Sequence, residues 1–158
     1  MILALLMTTL TPAAATATIP TPPSIPQFSV ADCQNPDRAR DAITANFASG
    51  EIENAIRSYG VARQEALVAR FNASKMSVDE RGALMHQLGG SAAVREAVAA
   101  GQHAWDETQP WYEKLKTDPR GAGACMATAH VSQGFSAMLA ASQRIWDVFD
   151  AGIAKAGA

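Results

Sequence analysis

Residues 122–155, AGACMATAHVSQGFSAMLAASQRIWDVFDAGIAK, decide the fold class. Phe135, Met138, Leu139, Trp146, Phe149 and Ile153 recur at the spacing that lines one side of a helix, so they mark a buried stripe. Ala127, Gly134, Ala137 and Ala141 form a second face of small side chains, against which a neighbouring helix can approach closely. A helix is expected over the whole stretch.

The same periodicity extends towards the N-terminus. Asn35-Pro36-Asp37 is a helix start: a capping residue, a proline at the first position and an acid near the positive end of the dipole. Ile43, Phe47, Ile52, Ile56, Tyr59, Leu67 and Phe71 then form an apolar face, with Arg57, Arg63, Gln64 and Glu65 read onto other faces. Gly50 and Gly60 each weaken a helix by about 1 kcal/mol relative to alanine, so a break in this arm is allowed. Ser77-Val78-Asp79-Glu80 is a capping box that opens the next helix. Gly89-Gly90 interrupts that helix, and Ser91 caps its resumption. Pro110 forces a further kink or restart, with Thr108 as cap. No alternation of strand length appears, and the expected fold is all-α.

Cys33 and Cys125 choose between arrangements. In an oxidising compartment an even cysteine count points to a disulfide. Such a bond brings α-carbons within about 7 Å, so the two residues must share one end of the bundle. Cys33 precedes the first helix and Cys125 opens the last. In an up-down-up bundle the first and third helices start at the same end. Three long antiparallel arms, 36–73, 78–117 and 122–155, are therefore expected, the middle one broken. The alternative is a compact four- or five-helix bundle.

The compartment argument comes from the N-terminus. Met1 to Leu10 is apolar and uncharged, small residues follow to Ala17, and Ile19 to Pro26 is proline-rich. The order is that of a secretory signal, a cleavage site and a spacer. The expected organisation is a signal-like segment 1–17, a proline-rich spacer 18–32 and a helical domain 33–158. The protein is expected to be periplasmic or secreted. The apolar run of about ten residues is half the ~20 needed to span a bilayer, so no stable membrane span is expected in the mature chain.

The chain has 158 residues and a formal net charge of −2, with 13 Lys+Arg spread thinly. Nucleic-acid binding needs a clustered basic footprint, and none is present. Catalytic patterns are also missing. There is no G-x-S-x-G elbow, phosphate loop or dinucleotide fingerprint, and no Glu-x-x-His pair for a di-iron centre. Cys125 and His130, five residues apart on a helix, point well apart.

Two constellations remain. Trp105, Trp111 and Tyr112 bracket Pro110, and aromatic residues of this kind anchor interfaces. His86, His103, Met126 and His130 are ligand types that a bundle uses for b-type haem or a soft metal such as copper, with Met126 and His130 one helical turn apart. The expected role is a non-enzymatic binding module for another envelope or secreted protein. A haem- or copper-binding bundle is the alternative.

Overall fold

The computed structural model describes residues 18–34 and 38–156, with backbone only for 38–40. The signal-like segment 1–17 and the helix start at Asn35-Pro36-Asp37 lie outside the described residues. A 3-10 turn, Val30–Gln34, precedes five α-helices: α1 (Arg38–Ala48), α2 (Glu51–Ala73), α3 (Val78–Gly89), α4 (Ala92–Thr117) and α5 (Ala124–Lys155). The described regular structure is entirely helical.

Gly50 divides α1 from α2. Its φ of 80° lies in the left-handed region, which a side chain disfavours, so glycine is needed there. Gly60, by contrast, sits inside an unbroken α2. The capping box at Ser77 and Glu80 opens α3, and the Ser91 hydroxyl accepts from the Val94 amide at 3.3 Å to open α4.

Helix α5 is the hub, and its most extensive partner is α4. The two run antiparallel: Trp111 meets His130, Thr108 meets Gly134 and Gly101 meets Ala141. A Cβ on Gly134 would lie 1.6 Å from the Thr108 Oγ1 and 2.7 Å from its Cβ. Only a missing side chain permits this approach. The α1–α2 segment runs parallel to α5. Thr128 donates to Thr44 at 3.1 Å, Phe47 packs on Phe135 with ring centroids 6.0 Å apart, and Arg63 reaches Asp150. Leu88 at the end of α3 lies over Gly152. Apolar side chains form two clusters, one around Phe47, Tyr112, Leu115, Val131 and Phe135, the other around Leu67, Phe71, Val94, Phe149 and Ile153. Trp146 touches both.

Of the kink or restart expected at Pro110, the restart does not occur. Helix α4 runs unbroken from Ala92 to Thr117 with Pro110 inside it. Thr108 caps nothing: it is buried, and its hydroxyl donates to the Ala104 carbonyl at 2.6 Å within the same helix. Proline removes the hydrogen bond to residue 106, but Asp106 and Pro110 both lie on the exposed side, where water can solvate the freed carbonyl. On the other side Ala104, Thr108, Tyr112 and Leu115 are buried. Their packing carries the helix through.

The proline-rich segment is extended, and its second half lies on the bundle. Ile25 and Phe28 are buried. Ser132 of α5 holds the strand between them with one hydroxyl, accepting from the Phe28 amide at 3.0 Å and donating to the Pro26 carbonyl at 2.7 Å. Gln27 adds a bond from Nε2 to the Ser136 hydroxyl at 3.3 Å. Beyond it, Cys33 and Cys125 are joined with α-carbons 5.7 Å apart, tying the 3-10 turn to the first turn of α5.

Candidate functional site

The aromatic group does not form one surface. Tyr112 is 2% exposed, packs edge-on to Phe135 at 5.2 Å, and donates its hydroxyl to Glu53 Oε2 at 2.7 Å. Burial, and then the Glu53 carboxylate, push the Tyr112 hydroxyl above the usual tyrosine range. The same hydrogen bond, helped by Arg57, holds Glu53 below the usual carboxylate value. Tyr112 is thus a core residue joining α4 to α2, not an exposed anchor. Trp105, seven residues earlier and so on the same side of the helix, packs half-buried on the first cluster. Trp111 also packs against that cluster, and it stacks on His130 with centroids 4.1 Å apart and planes 11° from parallel, with Lys114 Nζ 5.8 Å from the ring centre.

The sulfur and imidazole residues lie in separate surroundings. His86 is exposed on α3, and His103 pairs with Glu107 at 3.4 Å on the open side of α4. His130 lies under Trp111, while Met126 lines a cleft beside the disulfide. Among the described residues no three His, Cys, Asp or Glu side chains group as a metal site.

A charged cluster lies in the α2–α5 interface. Arg63 is 5% exposed and donates from Nη2 to Asp150 Oδ2 at 2.6 Å, while Arg70 binds the other oxygen of Asp150. The Arg63 guanidinium also lies 5.7 Å from the centre of Trp146. Arg63 was read onto a polar face, yet it falls four residues from both Tyr59 and Leu67, on the buried side. That spacing was the signal for it. The Arg63 Nε makes no hydrogen bond, and the bonds of Arg63 and Arg70 to Asp150 tie α2 to α5.

The opposite face of α2 is open. Val61 and Val68 are 53% and 51% exposed, seven residues apart on one side of the helix. With Gln64, Glu65, Ala69 and Asn72 they line a shallow groove of about 430 Å³. A second, larger cleft of about 1080 Å³ lies beside the disulfide, between α1 and the turn from α4 to α5. Cys33, Cys125, Met126, Asp41 and Arg120 are among its lining residues. No described helix is long and apolar enough to cross a membrane. No family model, curated protein or solved structure matches the chain.

Proposed function

We propose that this protein is an exported, non-enzymatic module that binds a helix of another envelope or secreted protein through the outer face of α2. The observation that carries the reading is the pair Val61 and Val68, two half-exposed valines one heptad apart. Large apolar side chains repeated at that interval make the seam on which a second helix packs. Gln64, Glu65 and Asn72 border them with polar groups, as the rim of an interface does. The inner side of the same helix is fixed to α5 by Arg63, Leu67 and Phe71, so the seam stands on a rigid support. Export is supported by the apolar, small-residue and proline order of residues 1–26 and by the cysteine pair.

The test is a photo-cross-linking amino acid at position 68, introduced in the producing cells. A discrete adduct with one envelope or secreted protein is expected, and Val61→Asp should abolish it without lowering the melting temperature. No adduct, or one indifferent to Val61→Asp, overturns the binding surface. An intact mass of the chain from the envelope tests export separately. A start near Thr18 or Ile19 supports it, and a full-length chain refutes it.

A further inference from the structure

The cleft at the disulfide has no part in that reading. Cys33 and Cys125 both remain half-exposed and both line its wall, so the bond between them is open to a molecule in the cleft. A volume of about 1080 Å³ accommodates a tripeptide-sized molecule. Arg120, from the turn before α5, is a cationic residue of the lining.

The two sulfurs differ in their surroundings. Cys125 is the second residue of α5, where the helix dipole and free amide groups stabilise an anion. Arg120 adds positive charge on that side of the cleft. Cys33 instead follows Asp32, whose carboxylate accepts from both the amide and the hydroxyl of Ser29 at 2.7 Å and is held ionised. Cys33, in the 3-10 turn, has that carboxylate next to it in sequence and lies outside the helix end that carries Cys125. The 3-10 turn that carries Cys33 has no buried residue, so it can be displaced without opening the core.

We infer that Cys33–Cys125 is a thiol–disulfide exchange site for a small thiol of tripeptide size, with Cys33 the sulfur attacked and Cys125 the sulfur that leaves. The incoming thiolate forms a bond to the Cys33 sulfur as the Cys33–Cys125 bond breaks. The electron pair of the broken bond stays on Cys125 as a thiolate at the head of α5. One disulfide is exchanged for another, so the step is redox-neutral and needs no further reactant. The reverse attack of Cys125 on Cys33 expels the small thiol and restores the bond.

The experiment uses glutathione on the full folded chain, rapid alkylation of free thiols and peptide mapping by mass spectrometry. Glutathione on Cys33 with the alkyl label on Cys125 is expected. A leaving thiol one pKa unit lower, with a sensitivity near one half, gives that pattern an excess of about threefold or more over the reverse. A Cys33→Ser variant supplies a second readout. Its Cys125 thiol should alkylate faster in the folded chain than in urea. Glutathione on Cys125, an even division, or no reaction until the chain is unfolded overturns the assignment.

Discussion

Replacing Gly134 by alanine tests the closest contact in the bundle. The new methyl would meet the Thr108 Oγ1 at 1.6 Å, its Cβ at 2.7 Å and its Cγ2 at 2.9 Å. No rotation of Thr108 moves its Cβ, so the helices themselves must part. Overpacking of this kind costs about 1–3 kcal/mol. Against it stands the intrinsic preference of a helix for alanine over glycine, about 1 kcal/mol. Spreading α4 from α5 also loosens the neighbouring contact of Gly101 with Ala141, where a Cβ at 101 would lie 3.5 Å from that of Ala141. The clash is therefore expected to win, lowering stability by about 1–2 kcal/mol and the melting temperature by several degrees. Urea unfolding followed by circular dichroism is the assay. The midpoint should fall with the slope unchanged. Thr108→Gly removes all three opposing atoms, so in the double variant the new methyl fits. The cycle should show a favourable coupling of about 1 kcal/mol or more. If Gly134→Ala stabilises the protein, or if the two changes simply add, the close approach of α4 and α5 is refuted.

Asp150→Asn leaves Arg63 charged and buried without its anionic partner; a loss of about 3 kcal/mol in urea unfolding is expected, and less than 1 kcal/mol would refute the pairing. Ser132→Ala removes both bonds to the strand at Pro26–Phe28, and amide exchange at Phe28 should accelerate while α5 stays protected. Stability should fall towards acid and towards alkali. Glu53, Glu80 and Asp32 are held below the usual carboxylate value by hydrogen bonds from Tyr112, Ser77 and Ser29 respectively, so their contribution is present above the unfolded value and lost as acid reaches the folded one. Tyr112 and Tyr59 are raised, mainly by burial, so theirs is complete below about pH 10 and lost as pH rises through the folded value. Glu53→Gln should shrink the acid limb in urea titrations, and an unchanged limb would refute the Glu53 assignment.

The features readable in the sequence are those that local chemistry decides. Ser77 with Glu80, and Ser91 after two glycines, satisfy helix-end amides within their own turn, and both caps form as written. The cysteine pairing, expected from an even count and an oxidising compartment, is present and places both residues at one end of the bundle. What escaped depends on partners distant in sequence. Pro110 obeys its local rule until the packing of Thr108, Tyr112 and Leu115 on α5 outweighs it. Arg63 looks like a surface residue until Asp150, 87 positions later, makes its burial tolerable. The docking of Ile25 and Phe28 depends on Ser132, a residue with no local signature. Of the candidate surface, Val61 and Val68 were legible only by omission: they fall off the apolar stripe from Ile43 to Phe71, and their shared outward face becomes visible once that stripe is seated.

The order of the described elements, with the hub after the helices it gathers, bears on how they assemble. Every other described element touches α5, and the α4–α5 contact is by far the most extensive in the bundle. A ribosome delivers α5 after the other described helices, so the contacts between α4 and α5 form only after the rest of the bundle has emerged. Folding is postponed rather than begun domain-first from the N-terminus. Were the chain threaded through a membrane, as proposed above, that delay would keep it pliable during passage, with closure following once α5 arrives.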